Sequence, residues 1–124
     1  MKLKTKKQTA WIEITKDGLT ARFLVSPLTF KENMDILNAS KIKEWENNQR
    51  FESTDLFKFR VETVVKTIMD WEYIEDEEGN PIPCTKENKE MFYTYNATLA
   101  EEVLVKTQEL AEDMFKQKEE ERKN

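Results

Sequence analysis

Apolar and polar residues nearly alternate from Gln8 to Val25, with Trp11, Ile12 and Ile14 before Lys16-Asp17-Gly18 and Leu19, Ala21, Phe23 and Val25 after it. A two-residue period sends successive side chains to opposite faces of a strand, and Asp-Gly supplies the positive φ that a tight hairpin turn demands. Residues 8–25 are therefore predicted as a β-hairpin. In its second strand Leu19, Ala21, Phe23 and Val25 share one face and Thr20, Arg22 and Leu24 the other, which suits a sheet covered on one side by helices.

Ser26-Pro27 breaks the strand, and Thr29 with Glu32 three residues on has the form of a capping box, predicting a short helix over Phe30–Leu37. Residues 38–53 are mostly polar, with Ile42, Trp45 and Phe51 at spacings that fit a weak helix and a loop equally. From Thr54 onward Phe57, Val61, Val64, Val65, Ile68 and Trp71 fall on one helical face, so this stretch is predicted as the central core helix. Gly79, Pro81 and Pro83 forbid its continuation and predict a tight turn or small hairpin. Thr85 is placed to cap a short helix over residues 86–93, and Asn96 or Thr98, the latter with Glu101 three residues on, to cap the last one. Leu99, Ala100, Val103, Leu104, Thr107, Leu110, Ala111 and Met114 form a mostly apolar stripe along it. Beyond Phe115 no apolar residue remains. The expected fold is α+β in one domain spanning 1–124: an N-terminal β-hairpin (8–25) beside a mainly helical body (29–115), with 1–7 and 116–124 mobile.

A chain of 124 residues suffices for one core, and 38% hydrophobic content with three Trp, seven Phe and three Tyr fills it. Charged residues reach 36%, well above the roughly 25% of an average domain, so the exterior is heavily solvated. The net charge of −5 repels nucleic acid on average, and Lys2, Lys4, Lys6 and Lys7 read as a soluble terminus. No apolar run approaches the ~20 residues of a membrane span, and no secretory signal follows Met1. The single Cys84 allows no internal disulfide and suits a reducing cytosol.

Catalytic chemistry finds little to use. With no His, the commonest metal ligand and general base is missing, and two glycines in the whole chain leave no phosphate-cradling loop. If Gly79 were the sixth residue of a calcium loop, its first and twelfth positions would fall on Ile74 and Thr85, which carry no carboxylate. The acidic run from Asp70 to Glu78 reads as a solvated turn. Cys84 lacks a base to activate it and reads as a structural thiol. No enzyme, cofactor, metal, nucleic acid or membrane is expected.

One segment carries a further signal. Val64-Val65-Lys66 and Trp71 lead into the acidic, glycine-containing Glu75-Asp76-Glu77-Glu78-Gly79-Asn80. Then follow Pro81-Ile82-Pro83-Cys84-Thr85-Lys86-Glu87-Asn88, a short helix and a longer one. From about Val61 to Leu110 this order resembles the tail assembly chaperones of long-tailed bacteriophages and related prophages, with Trp71, Asp76, Gly79, Asn80, Pro81, Pro83, Thr85 and Asn88 on the matching positions. Cys84 stands where a bulkier apolar residue is usual, and Met91-Phe92-Tyr93-Thr94-Tyr95 is unusually aromatic for the family. The resemblance implies a non-enzymatic assembly factor of the bacterial host cytoplasm, absent from the finished virion. Such a factor coats the phage tape-measure protein and recruits tail-tube protein, and many such genes also make a longer product by frameshifting. Met and aromatic side chains bury well against varied partners, so Met34, Met91, Phe92, Tyr93, Tyr95, Met114 and Phe115 are expected as partner surface, with self-association through the last helix. The competing reading is a small structural tail-completion or connector protein of the phage particle.

Overall fold

The hairpin expected around Asp17-Gly18 forms in the computed structural model as β1 (Ala10–Lys16) and β2 (Leu19–Val25). Asp17 and Gly18 take φ values of 53° and 77°, the left-handed pair of a two-residue turn whose twist matches the strands it joins. The structure describes the backbone of residues 1–123 and the side chains of residues 1–113. The partner role expected of Met114 and Phe115 falls on side chains outside the described ones, and of the end expected to be mobile, residues 116–123 are described by their helical backbone alone. Residues 1–9 enter no strand or helix.

After β2 come α1 (Phe30–Ala39), β3 (Lys41–Glu46), β4 (Gln49–Thr54), α2 (Leu56–Thr67), β5 (Ile68–Glu72), α3 (Lys86–Tyr95) and α4 (Ala97–Lys123). The fold is α+β, as expected, but the body is not mainly helical: strands recur through the first 72 residues and the long helices occupy the C-terminal half. β5 joins the first hairpin in an antiparallel sheet of order β1-β2-β5, while β3 and β4 form a separate two-stranded sheet.

Two departures from the sequence reading explain this. The stretch 38–53 is neither a weak helix nor a loop: Asn38 and Ala39 end α1, and residues 41–54 form a second hairpin, turned at Asn47-Asn48 with φ of 51° and 63°. The predicted central helix stops at Thr67, and Ile68 and Trp71 belong to β5. In a regular strand residues three apart face opposite ways. Here the register slips by one residue, since Leu24 pairs with Asp70 but Val25 with Ile68, and this bulge returns Ile68 and Trp71 to the same face.

The core lies where that face meets the helices. Ile14, Phe23, Val25, Ile68 and Trp71 from the sheet close on Val64 of α2, Phe92 of α3 and Ala100 and Val103 of α4. Phe23, Trp71 and Phe92 stand in mutual ring contact, with centroids 5.6–6.5 Å apart. The α4 stripe is thus committed to its own core, with Ala100, Val103 and Thr107 buried and Leu99, Leu104, Leu110 and Ala111 half-buried. This corrects the expectation that the stripe serves a partner helix. Phe57 is likewise corrected: it stays outside the core, against the ring of Tyr93.

The helix caps form largely as expected. Thr29 and Glu32 make the full capping box of α1, Asp55 caps α2, and the Thr85 hydroxyl accepts from Asn88 N–H at the start of α3. Asn96 closes α3 and immediately precedes α4, leaving Thr98 inside that helix. Glu101 makes no capping box with Thr98. Its carboxylate accepts from Arg60 Nε at 2.9 Å and from the Tyr93 hydroxyl at 2.9 Å, joining α2, α3 and α4.

That junction gives a pH signature. The Arg60 guanidinium, and then the Tyr93 hydroxyl, hold the Glu101 carboxyl below its ordinary value. A carboxylate whose pKa is lower folded than unfolded adds stability above the unfolded value, and this is lost as pH falls through the folded one. The stability gap between the wild type and Glu101→Gln, read as urea midpoints, should be constant near neutrality and close as pH drops below about 4.3. A gap that persists at pH 2 assigns the effect to packing instead.

Candidate functional site

The segment after β5, which carries the family-like motif, folds into a connector hydrogen-bonded around Asp76. Asp76 organises the turn: its Oδ1 accepts from the backbone N–H groups of Glu78 at 3.0 Å and Asn80 at 2.9 Å, while its own N–H donates to Asn80 O at 2.8 Å. Those donors, Asn80 N–H foremost, hold the Asp76 carboxyl below its usual range. Gly79 sits at φ +86° and donates to Asp76 O. Glu75 then pairs with Pro81, and Ile82 N–H donates to Ile74 O, so the predicted small hairpin is present.

Below the turn, Trp71 is the anchor. Its ring is 7% exposed, and its Nε1–H donates to Ile82 O at 2.6 Å, fastening the returning strand to the core. Asn88 Nδ2 donates to Pro83 O at 2.9 Å, locking the proline stretch to the first turn of α3. Lys89 Nζ reaches back to Val65 O and Ile68 O at 3.1 and 3.0 Å, satisfying carbonyls that the end of α2 leaves without helical partners. The structure therefore brings all eight motif residues into one structural unit that runs from β5 into α3.

Gly79 gives that unit a direct test. A Cβ there would meet nothing within 4 Å, so only backbone strain opposes a side chain. Gly79→Val should cost about 1–2 kcal/mol, because a β-branched residue resists the left-handed region. Gly79→Asn, which tolerates that region, should cost distinctly less. Equal thermal midpoints for the two variants would mean that the turn does not hold this φ in solution.

The expected partner side chains are divided by the structure. Phe92 is 4% exposed and belongs to the core, which removes it from any partner surface. Tyr93 is half-buried with its hydroxyl on Glu101. Met91 is half-buried, and among the described residues of that set Met34 and Tyr95 stand out into solvent, the latter at 80% exposure. Half-burial pushes the Cys84 thiol up, toward the unreactive neutral form.

Between the connector, the first hairpin and the start of α4 lies an open apolar cleft of about 470 Å³. Leu19, Tyr73, Ile74, Met91 and Leu99 border it, with Trp71 and Phe92 at its floor. Tyr73 takes φ +65°, a left-handed conformation that an aromatic residue avoids, and its exposed ring projects at the cleft. Other bulky apolar side chains stand clear of the body, among them Phe30, Trp45 and Leu56. Tyr73, Trp45 and Leu56 were not among the side chains expected to meet a partner. The signal for Trp45 was the Asn47-Asn48 pair between two six-residue stretches, a left-handed turn written in residues that tolerate it.

Among the described residues no group of three or more Cys, Asp and Glu is placed to hold a metal ion, and no helix is long and apolar enough to cross a membrane. No known protein family, curated protein or solved structure matches the chain.

Proposed function

We propose that this chain is a non-catalytic tail assembly chaperone of the long-tailed bacteriophage type, acting in the cytoplasm of a bacterial host. In this reading it covers apolar stretches of the phage tape-measure protein, recruits tail-tube protein and self-associates while doing so. The observation that carries the reading is the display of bulky apolar side chains on a strongly charged exterior. Phe30, Trp45, Leu56, Tyr73 and Tyr95 are all at least 70% exposed in a chain that is 36% charged. A folding or assembly factor needs that combination, since apolar surface captures a partner and surrounding charge keeps the unbound protein in solution. The motif residues support the same reading in a different way. Trp71, Asp76, Gly79, Asn80, Pro81, Pro83, Thr85 and Asn88 build a connector beside the cleft, and the polar groups of Trp71, Asp76, Thr85 and Asn88 are taken up by hydrogen bonds within it.

The test is co-expression with the tape-measure protein of the same genome. The expected result is a soluble complex in which a tape-measure protein, insoluble alone, is retained. Substituting Tyr73 and Tyr95 with Ser should lower that retention with little change in the chaperone's own thermal midpoint. A tape-measure protein that stays insoluble beside abundant folded chaperone overturns the reading. A partner found instead in purified particles, at fixed stoichiometry with tail proteins, replaces it with the structural-component reading.

A further inference from the structure

The β3–β4 hairpin stands away from the rest of the molecule as an arm. Among the described residues it packs substantially on no other element, and every residue from Lys41 to Ser53 is exposed. An isolated two-stranded hairpin is marginal in water, because it has no third layer to bury a face. Both faces nevertheless carry apolar bulk.

Cross-strand partners share a face, so the register sorts the side chains. One face holds Lys41, Lys43 and Arg50 around Trp45, with Glu52 as its single acid. The other holds Glu44 and Glu46 around Ile42 and Phe51, with no base. In formal charge the first face is +2 and the second −2, by counting Lys41, Lys43 and Arg50 against Glu52, and Glu44 and Glu46 against none. The levels also alternate. Counting paired residues from the turn, Trp45 and Arg50 lie on the second rung, between Glu46 with Gln49 on the first and Glu44 with Phe51 on the third.

We propose that this arm is a self-association surface on which the basic Trp45 face of one copy stacks on the acidic Phe51 face of the next. The proposal gives the self-association in the reading above a location. An acidic partner of another kind would match the basic face alone and leave Ile42, Phe51, Glu44 and Glu46 uncovered. A second copy of the same arm satisfies both. Because the two faces differ, the contact is head-to-tail, and each addition to an open stack exposes a fresh face.

Size sets the behaviour. Six-residue strands are about 20 Å long, and one face of two strands covers roughly 200 Å², so a stack removes roughly 400 Å² in total, far below the ~1,200 Å² of a stable complex. Each contact is weak. Association should therefore rise gradually with protein concentration, without a plateau at the dimer, and weaken as salt screens the charges.

The experiment is sedimentation of the full chain over a hundredfold concentration range, with two charge-reversed variants. Lys43→Glu with Arg50→Glu makes both faces acidic, and Glu44→Lys with Glu46→Lys makes both basic. All four positions are exposed, and unchanged circular dichroism and thermal midpoint of the body check that each variant is folded. The wild type should show a weight-average mass that climbs with concentration, each variant alone should stay at monomer mass, and their equimolar mixture should climb again. A wild type that remains monomeric, variants that associate as the wild type does, or a mixture that remains monomeric each overturns the proposal. Capture of tape-measure protein is read in parallel. Its loss in the wild type counts against the chaperone reading and leaves the sedimentation result, and with it this surface, standing.

Discussion

Replacing Trp71 with alanine should destabilise the protein by about 3–5 kcal/mol, the usual cost of emptying a large aromatic site in a packed core. Two losses combine. The ring leaves Phe23 and Phe92, which it contacts at centroid distances of 6.5 and 5.6 Å, and Ile82 O loses the indole N–H donor 2.6 Å away. Domains of this size are stable by about 5–15 kcal/mol in all, so the urea midpoint should fall by about a fifth or more. Trp71→Phe separates the two losses. It keeps much of the packing but not the donor, and should cost about 1–3 kcal/mol for the carbonyl left unpaired. If Trp71→Phe matched the wild type, the indole hydrogen bond would contribute nothing, and the connector would be held by the Asp76 turn with the Ile82–Ile74 and Asn88–Pro83 hydrogen bonds.

Phe92→Ala and Tyr95→Ala should behave as opposites, although the two residues sit three apart in one aromatic run. Phe92 is closed in by Phe23, Trp71 and the sheet, and its removal should cost about 3–5 kcal/mol. Tyr95 is 80% exposed, so its removal should change stability by less than about 0.5 kcal/mol while weakening capture of an apolar partner. Thermal midpoints and co-purification measured on both variants check this. Equal destabilisation by the two would mean that the end of α3 is packed differently.

Those expectations could not be read from the sequence, and the reason is physical. In Met91-Phe92-Tyr93-Thr94-Tyr95 the residue types are alike, and burial is decided by which of them α3 turns toward β2 and β5. That depends on β5 being a strand. Val64, Ile68 and Trp71 have helical spacing, and a strand can imitate it only through the bulge between Leu24 and Val25, a property of the pairing rather than of either segment. The second hairpin was hidden for a related reason. Its apolar residues fall on both faces, Ile42 and Phe51 on one and Trp45 on the other, so no clean alternation marks it.

What was legible was local. Asp17-Gly18, the Thr29 and Glu32 box, the Gly79 turn and the Thr85 cap each act over four or five residues, and each is present. The apolar stripe of α4 was also legible, but not what it would cover. The eight motif residues were legible as a unit, whereas the cleft beside them was not, since it is assembled from Leu19, Tyr73, Met91 and Leu99, which lie up to eighty residues apart in the chain.

The base of the arm has a consequence for how such a protein can change over time. Ser40 O accepts from Asp55 N–H at 2.8 Å, so the two points where the arm leaves and re-enters the body are already neighbours. Excising residues 41–54 and joining the ends through a short glycine link would close a gap that barely exists. Lengthening the arm by paired rungs would add only a small loop-closure entropy, which grows with the logarithm of length. None of the buried core residues lies in that span. Selection can therefore rewrite the arm as a cassette, exchanging one surface for another, while the sheet, the aromatic triad and the connector continue unaltered beneath it.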